Sequence, residues 1–379
     1  MNSREAQFRG RIRNAIVCIV IMAGLAVTAV IHTAKGGDAL PAGRGLYVLD
    51  TNAGGESGYV LLIDTSNGRA LRTYNAGFHP DMALSPDGTR LYIASIRDTA
   101  NSPHSVLETY DTVSGALISS VENPDSFQTT VQIYGSTMSI APSGRYIYIL
   151  KLHNTKGLVD EYITAFDTRH NRFLNDHASL NTECNFVMLP TNVDLTLGVA
   201  CANSASLREL TLSDATDPLK DTLSAIKTTK SREKWGAVFL QPGQQNVAFV
   251  SASGSAFALD RVSAAVQHLG TVAQAGPWLQ RGLMSANERV VYFASGQGDR
   301  EYPNKQDTVV AVDPITLALR GTISTSHPFF SFELSRDGNT LYTINPEQAS
   351  ITIVDTNDFR EVRRLGPIGH TPAFAIAAP

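Results

Sequence analysis

The chain has 379 residues, with 31 Lys plus Arg against 35 Asp plus Glu and only 3 Cys. Its charged fraction of 17% is below the average of roughly 25% for a soluble domain. This composition excludes a disordered charged tail, a collagen-like chain and a disulfide-dense miniprotein. A net charge of −4 gives no electrostatic footprint for nucleic acid, so that class of partner is excluded as well.

Residues 1–34 have the order of a secretory signal peptide. Arginines in residues 1–14 precede an apolar run, Ala15–Ile31, and Val27-Thr28-Ala29 or His32-Thr33-Ala34 offers a cleavage context. The run has about 17 residues, the lower limit for crossing a bilayer, so an uncleaved inner-membrane anchor is the alternative. In either case we expect the chain beyond residue 34 to be periplasmic, with residues 35–43 as a linker.

Two cysteines remain in the exported part of the chain, because Cys18 belongs to the apolar run. The sequence predicts strands at Asn185–Pro190 and Thr196–Cys201, joined by a short turn. Folding them antiparallel places Cys184 nearly opposite Cys201, at a separation that a disulfide spans. We expect a disulfide in an oxidising compartment, and two buried free thiols are the alternative.

Two turn signatures divide residues 44–379 into seven similar units. One is a strand followed by a Pro-Asp-Gly type of turn, as in Ser85-Pro86-Asp87-Gly88, with copies at 142–144 and 336–338. The other is a strand that ends in Asp, at Asp64, Asp111, Asp167, Asp214, Asp260, Asp313 and Asp355. We expect each Asp to accept hydrogen bonds from the backbone of its turn. Four short strands in a period of roughly 48 residues indicate a propeller blade.

The predicted fold is therefore all-β, a seven-bladed β-propeller with four-stranded blades over residues 44–379. The first unit has no innermost strand of its own. The C-terminal segment 370–376 is similar to the segments 79–84 and 327–332, which enter innermost strands. We expect the C-terminal strand to join the N-terminal blade and close the ring, which removes the open sheet edges.

Several segments resemble the heavy chain of quinoprotein amine dehydrogenases, and the likeness covers most of residues 44–379. It is carried by Gly68–Leu71 through Gly77-Phe78, Ser85–Gly88, Val106–Ala116, Tyr134–Gly144, the Cys184 and Cys201 spacing, Asp299–Tyr302, and Leu365-Gly366 with Gly369-His370. The resemblance implies a periplasmic scaffold without catalytic residues, in a complex that oxidatively deaminates primary amines. It also implies that tryptophan tryptophylquinone belongs to a separate small subunit and that a blue copper protein accepts the electrons.

The loop after the first strand differs from that family. The resemblance implies an aromatic residue there, lining the substrate channel, whereas residues 51–58 contain none before Tyr59. A stand-alone periplasmic propeller that binds a protein or a small molecule is the alternative function. A third is a lactonase-like propeller enzyme with a metal held by acidic residues, for which Asp81, Glu183 and Glu333 are the candidates.

Eight residues precede or begin predicted innermost strands and are candidates to line one mouth of the central channel: Phe78, His79, Tyr134, Trp235, Trp278, His327, Phe329 and His370. The three histidines either converge on a ligand or are turn residues inherited with the repeat. The aromatic residues either form a binding mouth or close the channel. The sequence has no nucleophile elbow, zinc-binding helix motif, P-loop or Cys-x-x-Cys, so no catalytic or metal-binding residue is assigned.

Overall fold

Short runs of apolar residues rich in Val, Ile, Tyr and Phe, each bounded by a polar turn, form the strands of this chain. The computed structural model describes residues 43–378 except for 52–56, 100–101, 124–137, 156–157, 180–185, 191–195, 202–205, 212–221, 225–234, 244–245, 252, 262, 264, 273–274, 276–279 and 296–305. Contacts divide the chain into Met1–Gly36, which lies outside the described residues, and Gly37–Pro379, which contains every described strand. No helix long and apolar enough to cross a membrane occurs in the described part of the chain.

The strands follow one another with short connections. In chain order they begin with β1 (Gly45–Asp50), β2 (Tyr59–Asp64), β3 (Ala70–Asn75), β4 (Phe78–Leu84), β5 (Arg90–Thr99), β6 (Ser102–Asp111), β7 (Leu117–Glu122), β8 (Met138–Ile140), β9 (Tyr146–Thr155), β10 (Leu158–Asp167), β11 (Arg172–Ser179), β12 (Phe186–Pro190), β13 (Thr196–Cys201), β14 (Ser206–Thr211) and β15 (Thr222–Ser224). They continue with β16 (Trp235–Leu240), β17 (Asn246–Ser251), β18 (Ser255–Asp260), β19 (Val266–Thr271), β20 (Gln280–Arg281), β21 (Leu283–Met284), β22 (Val291–Ser295), β23 (Gln306–Val312), β24 (Leu319–Phe329), β25 (Ser331–Leu334), β26 (Thr340–Asn345), β27 (Ser350–Asp355), β28 (Arg360–Leu365) and β29 (Pro372–Ala377).

The described strands form seven sheets, which we number by chain order and list from the innermost strand outwards. They are the first sheet (β29, β1, β2, β3), the second (β4 to β7), the third (β8 to β11), the fourth (β12 to β15), the fifth (β20, β16, β17, β18, β19), the sixth (β21 to β24) and the seventh (β25 to β28). Repeated antiparallel meanders of this kind define a β-propeller. The prediction of an all-β propeller is confirmed.

An aspartate organises the turn before the outermost strand in six of the seven described sheets. Asp313 accepts the backbone N–H of Thr316 at 2.9 Å and that of Ile315 at 3.1 Å. The Thr316 bond, together with the Arg320 guanidinium, lowers the pKa of Asp313 to about 2. The same turn bond is made by Asp64, Asp111, Asp167, Asp260 and Asp355. The predicted structural role is confirmed at these positions, whereas Asp214 lies outside the described residues.

In three of the described sheets a serine hydroxyl holds the turn after the innermost strand. Ser85 donates its hydroxyl to Asp87 at 2.6 Å and accepts the backbone N–H of Arg90 at 2.9 Å. Gly88 closes this turn with a φ of +72°, in the left-handed region that glycine tolerates best. Ser335 makes the same pair of bonds, and so does Ser285 in a copy whose sequence lacks the glycine.

Neighbouring sheets are joined by apolar packing and by arginines that cross between outer turns. The largest fully buried side chains include Tyr148, Phe166, Phe239, Phe293 and Phe329. Arg72 of the first sheet donates to the carbonyls of Thr112 at 2.8 Å and Val113 at 3.0 Å in the second sheet. Arg363 of the seventh sheet donates to the Ser66 carbonyl at 2.6 Å, and also to the Thr65 carbonyl, in the first sheet. The acceptors in both cases directly follow a turn aspartate.

Strand β29 is the innermost strand of the first sheet, although it lies at the opposite end of the chain from β1. It pairs antiparallel with β1, with Leu46 opposite Ala377 and Val48 opposite Ala375. The backbone N–H of Ala378 also donates to the Gly45 carbonyl at 2.9 Å. The described parts of the two chain ends are therefore hydrogen bonded to each other.

The predicted pair of strands in the fourth sheet is confirmed. Strands β12 and β13 pair antiparallel, with Phe186 opposite Cys201 and Leu189 opposite Gly198. Cys184 lies outside the described residues, so the disulfide with Cys201 stays a prediction.

Candidate functional site

In a β-propeller the innermost strands surround a central channel, and adjacent ones run in the same direction. The Ser331 hydroxyl of β25 donates to the Ala373 carbonyl of β29 at 2.6 Å. Strand β16 pairs in parallel with β20. The first residues of the innermost strands therefore lie at one end of the channel, which we call the channel mouth.

Asp50, the last residue of β1, ties the C-terminal segment to the channel mouth. Its carboxylate accepts the backbone N–H of His370 at 2.6 Å and that of Thr371 at 2.8 Å. The Asp50 side chain is 1% exposed, whereas the His370 side chain is 61% exposed and its Nδ1 lies 3.6 Å from Asp50 Oδ2. The backbone of His370 is thus fixed while its ring is open to solvent.

His79 is the second residue of β4 and is turned outward by an irregularity in that strand. The register of β4 against β5 shifts around it, and its φ is +46°. Few residues with a side chain adopt this region, and bulges of this kind redirect side chains. The neighbouring Pro80 is buried against Gly58, where a Cβ would lie 2.7 Å from Pro80 Cγ and 2.6 Å from the Asp50 carbonyl. The backbones next to His79 and His370 therefore both pack at the Asp50 end of β1, and both histidines are exposed there.

Two other candidates for the channel mouth lie elsewhere. Strand β24 continues through Phe329, and the innermost strand β25 begins only at Ser331. Phe329 is 1% exposed and packs in the core, with its ring centroid 6.2 Å from that of Phe332. His327 Nε2 lies 2.8 Å from Arg364 of the outermost strand β28. The expectation that His327 and Phe329 line the channel mouth is corrected. The outermost strand β24 extends to Phe329, so it includes part of segment 327–332, which was predicted to enter an innermost strand.

The remaining aromatic candidates are only partly described. Phe78 begins β4, is half-buried, and is paired with Ile96. Trp235 begins β16, with its backbone opposite that of Ser251. Tyr134 and Trp278 lie outside the described residues.

Arg281 and Glu333 carry opposite charges on innermost strands of different sheets, and we call them the channel pair. Each affects the ionisation of the other, although the two do not form a direct ion pair in the described part of the chain. The Arg281 side chain is exposed to solvent, yet desolvation lowers its pKa, with Glu333 acting in the opposite direction. Both observations fit a side chain in a water-filled channel whose walls are protein.

A side-chain amide creates the unusual backbone path around Arg281. By the register of β21 with β22, the backbone of Ala294 would pair with Arg281. Instead, the Gln280 amide donates to the Ala294 carbonyl at 2.9 Å and accepts the Ala294 N–H at 2.7 Å. The backbone of Arg281 then pairs with Val238 of the fifth sheet, and the next residue, Gly282, donates its N–H to the Val238 carbonyl at 2.8 Å. The start of this innermost strand is thus shared between two sheets.

Glu333 has the more strongly altered ionisation of the channel pair. Burial raises its pKa to about 7, while Arg281 and the backbone N–H of Ala377 act in the opposite direction. Its side chain is half-buried, and its backbone lies opposite that of Tyr342 in β26. At neutral pH this carboxyl is therefore divided between a neutral donor and a charged acceptor.

The acidic residues proposed for a lactonase-like metal site are not brought together in the described structure. Asp81 is fully buried, and its carboxylate accepts the backbone N–H of Met82 at 2.7 Å. Glu183 lies outside the described residues. Among the residues that the structure does describe, no group of three His, Cys, Asp or Glu side chains is placed to hold a metal ion.

Sequence reasoning identified Glu333 but missed Arg281, Gln280 and Asp50. A signal for Arg281 exists, because a charged residue occupies an innermost strand where other units have Met82-Ala83-Leu84 or Phe374-Ala375-Ile376. Nothing in the sequence pattern indicates that a Gln side chain replaces a backbone pairing.

Comparison with known proteins supports the fold and leaves the function open. No protein-family model matches the chain, and no curated protein matches it. Among solved structures, a candidate 6-phosphogluconolactonase from Bacteroides fragilis is similar with a TM-score of 0.58 and 12% identity, over 89% of this chain and 99% of the other. Apo AztD from Citrobacter koseri is similar with a TM-score of 0.51 and 10% identity, over 88% and 97% of the two chains.

A third similar structure is longer than this chain. It is the dihydro-heme d1 dehydrogenase NirN in complex with DHE, with a TM-score of 0.53 and 14% identity over 88% of this chain and 66% of NirN. None of these three structures is an amine dehydrogenase heavy chain. At these identities the likeness supports the class of protein, a β-propeller scaffold, and nothing finer.

Proposed function

We propose that this chain is an exported β-propeller that binds a small-molecule ligand in its central channel, at the channel pair. The observation that carries the proposal is the placement of Arg281 and Glu333 on innermost strands, within electrostatic reach of each other but not joined in a direct ion pair. Charged groups inside a protein are costly unless they are paired or used in binding. A concave site with a few convergent polar groups is typical of ligand-binding proteins.

The structure around Arg281 supports a binding role over a purely structural one. A charged side chain is not needed for joining the fifth and sixth sheets, since apolar side chains such as Phe239 and Val291 already pack there. The shared strand places the Arg281 side chain at an exposed position. The backbone path around Arg281 depends on the Gln280 amide and on the absence of a side chain at Gly282. Departures from regular strand pairing are common next to functional sites.

The proposal includes the architecture and the compartment. The seven sheets are taken as seven blades of one closed ring over residues 44–379, and the pairing of β29 with β1 supports closure. Residues 1–34 are taken as the export signal or membrane anchor that delivers the ring to the periplasm. Amino-terminal sequencing of the protein from the periplasm tests this part, because cleavage removes the apolar run.

The second candidate function is the heavy subunit of an amine dehydrogenase complex. It is favoured by the closing segment, since the Gly369-His370 pair that contributes to the resemblance is held at the channel mouth by Asp50. In this case a small subunit with tryptophan tryptophylquinone and a blue copper protein would be the partners. Purification from the native source decides between the candidates, because a tightly bound small chain with quinone absorbance would favour the second.

A ligand screen tests the first candidate directly. Ligand-observed NMR would be run with a mixed panel of small acids, amines, sugars and neutral metabolites. The wild type would be compared with the Arg281→Gln, Glu333→Gln double variant. A matched control is Arg69→Gln with Glu122→Gln, since both residues are exposed on outer parts of the sheets.

We expect at least one class of compound to bind the wild type and the control variant, with affinity at least tenfold weaker in the channel-pair variant. Binding that is unchanged in the channel-pair variant would contradict the proposal. A panel in which no class binds the wild type would contradict it as well.

A further inference from the structure

The chemistry of the channel pair indicates which class of ligand it selects, an inference that rests on the proposed function. A guanidinium is a planar fork of donors that matches the two oxygens of a carboxylate. The guanidinium of Arg281 makes no hydrogen bond or ion pair with the residues that the structure describes. Its donors are thus available on a side chain that is exposed to the channel.

Glu333 is the complementary contact. It is near enough to Arg281 to feel its charge, but it does not form the direct ion pair that would occupy the guanidinium. A neutral carboxyl donates one hydrogen bond through its O–H, whereas an ionised carboxyl only accepts. Beside Arg281, a neutral Glu333 gives the pair a net positive charge and a second donor.

We propose that the channel pair binds the carboxylate of a small organic acid, with the guanidinium of Arg281 and the carboxyl group of Glu333 as its two contacts. A cation would be repelled by Arg281, which remains protonated. A neutral ligand would leave the charge of Arg281 without compensation. The carboxylate is therefore the group that satisfies both side chains.

Proton uptake follows from this arrangement. Binding of the anion keeps Glu333 protonated, so affinity falls as the pH rises through the pKa of Glu333, about 7. Among the described residues, the charged and titratable groups that interact electrostatically with Glu333 are Arg281 on β20 and Tyr342 on β26, and the Tyr342 pKa is raised by burial. Strand β29, which also contacts Glu333, has no titratable side chain.

The test uses three probes of similar shape and different charge, namely benzoate, benzyl alcohol and benzylamine, together with acetate and inorganic phosphate. Binding would be measured by NMR titration and isothermal titration calorimetry at pH 6 and pH 8. We expect the carboxylates to bind the wild type about tenfold more tightly at pH 6 than at pH 8, in proportion to the neutral fraction of Glu333.

The variants separate the two contacts. Arg281→Gln is expected to weaken binding of benzoate or acetate at least thirtyfold, and Arg281→Lys, which keeps the charge without the fork, by an intermediate factor. Glu333→Gln resembles the neutral carboxyl, so it is expected to bind with the same affinity at both pH values. Arg69→Gln is the control and is expected to match the wild type, and circular dichroism would verify that each variant is folded.

Three results would overturn the inference. One is binding of benzylamine that is lost in Glu333→Gln, one is carboxylate binding that is unchanged in Arg281→Gln, and one is the failure of both carboxylates to bind at pH 6. Phosphate that binds more tightly than either carboxylate would also overturn the choice of ligand class. If the broader panel still yields a neutral or cationic ligand that needs the channel pair, the proposed function stands while this inference fails.

Discussion

The joint between the first and seventh sheets and the joint between the fifth and sixth sheets are built differently. At the first–seventh joint every strand stays in its own sheet, and buried residues such as Leu46, Val48, Tyr342 and Ile344 fill the space between the sheets. At the fifth–sixth joint the start of an innermost strand pairs with the neighbouring sheet. The first joint is regular, although it brings together the two ends of the chain, whereas the second departs from regular pairing within a continuous stretch of chain.

One joint contributes mainly to the stability of the fold, and the other positions a charged side chain. The regular joint depends on apolar burial and on hydrogen bonds to carbonyls that follow turn aspartates. The irregular joint depends on two hydrogen bonds from one amide and places a charged side chain on the channel. Local departures from an otherwise consistent pattern are expected at functional sites. Four predictions test this comparison.

Removal of residues 372–379 should have the largest effect, because it deletes β29 from the regular joint. Phe374 and Ala375 would be lost from the two apolar clusters on either side of the first sheet, and β1 would become an open edge. We expect a loss of more than about 5 kcal/mol, or failure to fold cooperatively, in urea denaturation followed by circular dichroism. Removal of Pro379 alone is the control, and a truncated chain as stable as this control would contradict the prediction.

Gly369→Ala should weaken the same joint at a single point. Gly369 has a φ of +61°, and a Cβ there would lie 2.1 Å from Asp50 Oδ2. We expect the free energy of unfolding to fall by about 2–4 kcal/mol. Gly243→Ala is the matched control, since its φ of +78° is equally unfavourable but its Cβ would meet no atom within 4 Å. Equal losses in the two variants would show that the contact with Asp50 contributes nothing.

Gln280→Ala tests the irregular joint. It removes both hydrogen bonds to the backbone of Ala294 and leaves a strand residue without partners, for an expected cost of about 2–3 kcal/mol in urea denaturation. Gln267→Ala, at an exposed position on β19, should change stability by less than about 0.5 kcal/mol. The irregular joint would not depend on the amide if the two alanine variants unfolded at the same urea concentration.

Glu333 connects the two joints, because it accepts the Ala377 N–H of β29 and senses Arg281. Its pKa of about 7 in the folded state exceeds its ordinary value of 4.5, so the folded state binds more protons between these values. The contribution of Glu333 to stability therefore falls as the pH rises from 4.5 through 7. We expect Glu333→Gln to be more stable than the wild type at pH 8 by about 1–3 kcal/mol.

The difference between Glu333→Gln and the wild type should shrink below pH 5, where both side chains are neutral. Five turn aspartates contribute the opposite dependence in both proteins, since their pKa values are lowered: Asp64, Asp111, Asp167, Asp313 and Asp355. Comparing the two proteins cancels that contribution. Unfolding in urea between pH 4 and pH 8 measures the difference. A difference that is constant across this range would mean that Glu333 titrates as it does in the unfolded chain.

The sequence predicted the parts of the fold that repeat. The strand type, the turn aspartates and the pairing of β12 with β13 all follow from local patterns of apolar and turn residues. These features depend on neighbours in the chain, and local pattern is what sequence reasoning detects.

The candidate site was predicted only in part, because it depends on contacts between distant residues. His79 lies at the start of innermost strand β4 and His370 just before β29, whereas His327 and Phe329 belong to the outermost strand β24. The end of a strand cannot be located to within two or three residues from sequence. The bulge that turns His79 outward lies next to the contact between Pro80 and Gly58, which are distant in sequence. Arg281 was missed because its position depends on the Gln280 side chain, which bonds to the backbone of Ala294 in place of Arg281.

The hydrogen bond between Ala378 and Gly45 has a practical consequence. Since the described start and finish of the propeller are adjacent in space, a short peptide linking them would span little distance. New termini could then be opened at an exposed turn elsewhere, and Arg363 would still reach Thr65 and Ser66. A circularly permuted form of this protein should thus keep its sheets, with the seam between β29 and β1 inside the first sheet becoming an ordinary internal connection.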